Sequence, residues 1–234
     1  VLVVNKGVNP VLALLVAVAA GVVAGAVTGI LHTVFEIPAI LAGILTQISL
    51  WSINLRIMGG KSNLPLLKVK TLISGLATSF GMTQAQASMI VGIVLAVAAI
   101  LFLYWFFGTE IGCSIRATGS NQNMSRAQGI NTDFNRVLGL MISNGLVALS
   151  GAMLCQYQGF ADINMGRGAI VIGLAAVIIG EAIFGKIFRN FGLRLLSVAF
   201  GSIIYYLVLQ VVIWLGIDTD LLKLLSAAVV AIFL

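Results

Sequence analysis

From Val8 to Leu31 the chain runs through 24 residues without a formal charge, and comparable apolar runs recur along its length. About 20 apolar residues in a helix cross the hydrocarbon core of a bilayer, whereas barrel strands are shorter and alternate in polarity. Repeated runs of this kind are incompatible with a soluble domain, and the balance of 60% hydrophobic to 9% charged residues agrees. The sequence therefore predicts an all-α, polytopic membrane protein. Its 26 glycines and 3 prolines suit closely packed membrane helices, in which small residues let backbones approach.

The first segment, Val8 to Leu31, places Gly21, Gly25 and Gly29 at successive i+4 positions, predicting a helix face that packs on a neighbour. After His32 and Glu36, Pro38 opens a second segment that ends near Leu55. His32, the sole histidine, reads as an interfacial side chain near Glu36 more readily than as a proton relay. Arg56 to Ser88, with Lys61, Lys68 and Lys70, is predicted to be an extramembrane loop holding one short surface helix. Segment three, Met89 to Phe107, closes on Tyr104, Trp105, Phe106 and Phe107, an aromatic belt of the kind found at a membrane interface.

Ser114 to Asn131 is the one long polar insert, with Arg116 and Arg126 and no acid. Ser120 or Asn121 caps a two-turn helix that Gly129 ends, with Met124 and Ala127 on one face and Arg126 on another. The insert reads as a docking element for a cytoplasmic partner.

Segment four, Phe134 to Gln158, carries Asn144, Ala148 and Gly151 or Ala152 on one face, with Gln156 and Tyr157 near its far end. Amides there either join helices or line a pathway. Segment five, Ile170 to Phe184, is short and contains Gly173 and Gly180, with Gly185 just beyond. It is expected to be re-entrant or broken where it lines a cavity. Its Glu181 is the most deeply placed carboxylate and is open between pathway residue and interfacial anchor. Beyond the basic Lys186, Arg189 and Arg194, segment six runs from Leu195 to Leu215 with Ser197 and Gly201 as a small-residue pair. Segment seven runs from Leu221 to the end. About seven segments result, the whole of 1–234 reading as one transmembrane domain.

Several classes are excluded. The net charge of +6 is scattered at segment edges and forms no stripe, which argues against nucleic acid. Gly60-Lys61-Ser62 lacks the earlier glycine of a phosphate-binding loop, where Leu55 stands. In Gly180 to Lys186, Ile187 occupies the Mg²⁺-binding hydroxyl position, so neither stretch is expected to hold nucleotide, any ATP chemistry falls to a partner, and no metal site is assigned. Cys113 lies near the end of segment three and Cys155 near the far end of segment four; with those ends on opposite sides the thiols are about 30 Å apart at a helical rise, too far to pair. Val1 in place of Met, running straight into apolar sequence, implies a start further upstream, and no signal peptide is assigned. Charge gives no orientation. Arg116, Arg126, Arg136, Lys186, Arg189 and Arg194 fall on one side, with Lys6, Arg56, Lys61, Lys68, Lys70, Arg167 and Lys223 on the other.

Ile115 to Phe160 resembles the permease family of bacterial ABC importers for branched-chain amino acids and simple sugars. The resemblance lies in Arg116, Ala117, Gly119 and Asn121, then Ala127, Gly129, Ile130 and Asn131, then Ser150 and Gly151. Leu55 to Leu67 and Gln156 to Gly166 look like a subgroup whose implied cargo is an amino acid such as tryptophan or tyrosine. The resemblance implies that residues 114–131 form a cytoplasmic coupling loop. Arg116, Ala117, Gly119, Asn121, Met124, Arg126, Ala127, Gly129 and Ile130 would then engage a separate ATPase that holds ATP and Mg²⁺. It also implies a second permease copy, an extracytoplasmic substrate-binding protein and a place in the bacterial inner membrane. Two departures stand out: further N-terminal segments of the family are absent, and Gly180-Glu181 replaces its Gly-Gly pair. By polarity alone, Asn54, Asn144, Gln156 and Glu181 are the pathway candidates. An ion-coupled transporter built on Glu181 is the alternative. A membrane enzyme is disfavoured, because one histidine and seven scattered acids supply no paired catalytic groups.

Overall fold

The computed structural model describes residues 1–66, 69, 71–166, 169–185, 187–188 and 190–215. Its elements in order are α1 (Leu2–Lys6), α2 (Pro10–Thr33), α3 (Ala39–Ile57), β1 (Asn63–Pro65), α4 (Leu72–Phe80), α5 (Gln84–Gly108), α6 (Glu110–Ser120), α7 (Gln122–Ala127), α8 (Thr132–Gln158), β2 (Phe160–Asp162), α9 (Ala169–Phe184) and α10 (Phe191–Trp214). Among the described residues, α2, α3, α5, α8 and α10 are long and apolar enough to cross a membrane. At a 1.5 Å rise they extend roughly 28 to 40 Å, against a hydrocarbon core of about 30 Å. These five and the shorter α9 correspond to the first six expected segments, and segment seven lies outside the described residues.

The chain divides into two compact units, residues 1–95 with 105–165, and residues 96–104 with the described part of 166–234. In the first, α2 and α8 form the central pair. They run antiparallel: a Cβ on Gly21 would lie 2.5 Å from that of Ala148, one on Gly25 2.7 Å from Met141 Cα, and one on Gly29 2.9 Å from Val137 Cα. The seam is backbone against backbone, and only glycine fits it. Helix α3 joins α2 through two buried hydroxyls. Thr46 donates to the Ala42 carbonyl at 2.9 Å and accepts from Thr28 at 2.9 Å. Apolar surface elsewhere faces outward. Met89, Ile93, Val97, Leu101, Tyr104 and Trp105 of α5 are all exposed, as hydrocarbon contact requires.

Because α2 descends toward the start of α8 and α3 returns, the loop after α3 meets the end of α8. There β1 and β2 pair antiparallel, with Asn63 opposite Asp162 and Pro65 opposite Phe160. This small ribbon was not foreseen in the 56–88 loop and departs from a purely helical chain. The surface helix in that loop is α4, held at its start by Thr71 and Ser74 in a reciprocal capping box.

In the second unit α9 packs on α10 through glycine from both sides. A Cβ on Gly180 would meet the Ser197 backbone, and one on Gly201 would meet Ala176 and Gly180. Ala175, Ile179 and Tyr205 form the buried core beside this crossing. Helix α9 is continuous over 16 residues and is not broken at Gly173 or Gly180. At Gly180 the missing side chain serves close packing and leaves the helix intact.

Candidate coupling loop and pathway residues

Helix α5 ends at Gly108, and Thr109 caps α6 by accepting the Gly112 N–H at 3.2 Å. The polar insert therefore begins inside a helix: Ser114 to Ser120 are the last two turns of α6. Asn121 breaks it in extended conformation and caps α7, its Oδ1 accepting the Met124 N–H at 3.1 Å. The other end is a Schellman closure. Gly129 takes φ +80°, its N–H donates to the Arg126 carbonyl at 3.0 Å, and the Ile130 N–H donates to the Ser125 carbonyl at 3.1 Å. Asn131 then caps α8 through the Phe134 N–H.

A polar clamp holds α6 and α7 on the first turns of α8. The Asn135 amide, 4% exposed, donates to Ser114 Oγ at 2.7 Å and to Thr118 Oγ1 at 3.0 Å. Arg126 Nε donates to Thr132 Oγ1 at 2.8 Å, and its guanidinium pairs with Asp133 at 3.1 Å. Arg136 reaches both Asp133 and the Gln122 amide oxygen. Ser125 and Thr132 are buried beneath, each 2% exposed. Opposite this clamped face Met124 is 57% exposed, and Ala127 is exposed beside it.

Each coupling residue named from sequence lies on this α6–α7 hook. Arg116, Ala117 and Gly119 are exposed on α6, and Asn121, Gly129 and Ile130 make the caps. Arg126, half exposed, also reaches across to Thr132 and Asp133 as a strut to α8. Asn135, Thr132, Thr118 and Ser114, which hold the hook, were not singled out. Their signal is hydroxyl and amide groups spaced one helical turn apart, which is indistinct from ordinary polar sequence.

Within the first unit, Asn144 and Gln156 stand about three turns apart on α8. Asn54 is exposed in the last turns of α3. Asn144 returns its amide to the Leu140 carbonyl of its own helix at 2.9 Å. Gln156, 12 residues and roughly 18 Å further along α8, is buried and accepts the Leu72 N–H at 2.9 Å. Glu181 belongs to the second unit and is exposed on α9. His32 places Nδ1 2.8 Å from the Ile37 carbonyl, within the turn between α2 and α3. Cys113 and Cys155 are both free. Among the described residues no group of three or more His, Cys, Asp or Glu is arranged to hold a metal ion. Of the second basic cluster, Lys186 and Arg189 lie outside the described residues.

Comparison with known proteins identifies the family. The family described as branched-chain amino acid transport system, permease component, matches residues 1–234. The chain belongs to this family. A tyrosine transport system permease protein of Clostridioides difficile (strain R20291) is 42% identical over 234 residues, covering 98% of this chain and 74% of that one. An uncharacterised protein of Rickettsia prowazekii (strain Madrid E) is 34% identical, covering 95% and 77%. The autoinducer 2 import system permease protein LsrC of Salmonella typhimurium is 29% identical over 181 residues, covering 75% and 49%. No solved structure matches. The permease is thus a multi-pass protein of the inner membrane and a transport subunit, not an enzyme.

Proposed function

We propose that the permease forms the solute pathway of an ATP-driven importer for an amino acid, with a separate cytoplasmic ATPase docked on α7. The observation that carries the reading is the form of α7. It is capped at both ends and clamped to α8, and it presents Met124 and Ala127 outward. A short rigid helix of this kind transmits rigid-body movement into the membrane helix that it is joined to. ATP and its Mg²⁺ reside on the partner. A second permease copy completes the pathway, and an extracytoplasmic substrate-binding protein delivers the solute at the ribbon end. An aromatic amino acid is favoured as cargo, since the relative at 42% identity is named for tyrosine transport. Asn54 and Glu181, whose side chains are exposed, are the polar positions we assign to the pathway.

The test is co-purification of the full-length permease with its ATPase subunit, alone and as Met124→Asp or Ala127→Asp. A carboxylate buried unpaired in the docking groove is expected to cost a few kcal/mol and weaken association at least about 100-fold. Membrane insertion should be unchanged. Uptake driven by an ion gradient without any ATPase would overturn the reading and make Glu181 the residue to pursue.

A further inference from the structure

Helix α8 is held by polar side chains at both ends, one membrane thickness apart. Asn135 anchors the α6–α7 hook, while Gln156, 7% exposed, anchors α4. The 21 helical steps from one to the other span about 32 Å, close to the hydrocarbon thickness of a bilayer. Just past Gln156 the chain enters the ribbon, where the Leu66 N–H donates to the Gly159 carbonyl at 2.8 Å and the Ile163 N–H to the Ser62 carbonyl at 3.0 Å.

The Gln156 bond has an unusual acceptor role. Leu72 is the first residue of α4, and its N–H is one of those that a helix start leaves without an intrahelical partner. The Thr71–Ser74 box satisfies the N–H groups of Thr71 and Ser74, and Gln156 Oε1 takes that of Leu72. Ile73 is the buried residue of α4, while Leu76, Thr78, Ser79 and Phe80 are exposed. Among the described residues no other side-chain hydrogen bond joins α4 to α8. The surface helix is therefore attached to the long helix through one polar contact and a small apolar one.

We infer that Gln156 is a positioning residue that passes movement of α8 to α4 on the face opposite the coupling loop, and is not a solute ligand in the pathway. The inference rests on the importer reading above. A Gln side chain that accepts a backbone N–H of α4 is held in place by it, and the bond moves α4 with the end of α8. Two changes remove the bond from opposite sides. Gln156→Met keeps the side-chain length and loses the acceptor. Leu72→Pro loses the donor at a first helical position, where proline is tolerated, behind a Thr71 already extended at φ −92°, ψ 166°.

The experiment measures uptake and ATP hydrolysis by the full complex, with its ATPase and binding protein, in proteoliposomes. Both variants are expected to lower transport turnover roughly tenfold at unchanged substrate KM, so that ATP consumed per solute rises by about the same factor. Gln156→Glu, which retains an acceptor oxygen, should recover most of the native coupling. A raised KM at unchanged turnover in Gln156→Met alone would make Gln156 a solute ligand and overturn the inference, as would native coupling in both variants. If both variants fail to insert while Gln156→Glu couples normally, the contact is merely structural and the inference also falls. Failure of the importer reading shows separately, as native uptake that consumes no ATP.

Discussion

The two ends of α8 are fastened in different ways. At its start, hydroxyl, amide and guanidinium groups from three helices interlock, and Asn135, Arg126, Arg136 and Thr132 share the contact. At its end the backbone ribbon does most of the joining, and one amide, Gln156, reaches α4. A redundant clamp keeps a docking helix in fixed orientation while a partner pulls on it. At the far end the side-chain link to α4 is a single bond, which transmits movement but is easily lost. The contrast assigns rigidity to the coupling end and adjustability to the other, with α8 as the shaft between them.

The largest effect is expected where the shaft itself is attacked. Gly25→Val would place a side chain against the Leu140 carbonyl and 2.7 Å from Met141 Cα, both backbone, so α2 and α8 must separate. Overpacking of this kind costs on the order of 3 kcal/mol, and more when no side chain can yield. Folded yield and thermal stability in detergent should collapse. Gly92→Val in α5, with nothing within 4 Å of the added atom, should change neither. Equal behaviour of the two variants would show that the α2–α8 seam does not hold the shaft, and the comparison of its ends would lose its basis.

Much of this was legible because it is local. Asn121 before a two-turn helix and Gly129 after it encode both caps of α7 within nine residues, and the i+4 glycines of α2 announce a flat face before any partner is known. The ribbon was not legible. Its strands are three residues long, and Asn63 finds Asp162 only after α3 and α8 have each packed on α2. Nor does the sequence separate an amide that lines a pathway from one that caps a distant helix: Gln156 meets Leu72 across 84 residues. The glycines of α9 misled for a related reason. In isolation Gly180 reads as a helix breaker, and only the backbone of Ser197 explains it.

Within the clamp, Asn135 should matter most. Asn135→Leu leaves the Ser114 and Thr118 hydroxyls without their donor in a buried site, a loss of about 1–3 kcal/mol. The expected result is a lower melting temperature together with faster hydrogen exchange across α6 and α7, with insertion retained. A stable variant with unchanged exchange would mean that the coupling end is no more firmly held than the far end.

The smallest effect is expected at Arg126, and it separates two roles for one side chain. Arg126 and Asp133 are about half exposed, so their ion pair is screened by solvent and worth roughly 0–1 kcal/mol. The bond from Nε to the buried Thr132 hydroxyl adds a comparable amount, because that hydroxyl loses its donor. Arg126→Met should therefore lower stability only slightly, and the ion-pair part of the difference should shrink as salt is raised. If Arg126 is a strut, ATPase association should follow stability and fall no more than about fivefold, a shift of roughly 1 kcal/mol. Met124→Asp should be far more damaging to association at the same stability. A large loss of association in Arg126→Met without loss of stability would turn the guanidinium outward to the partner. The clamp would then rest on Asn135 and Arg136, and the two ends of α8 would be less unlike than their contacts suggest.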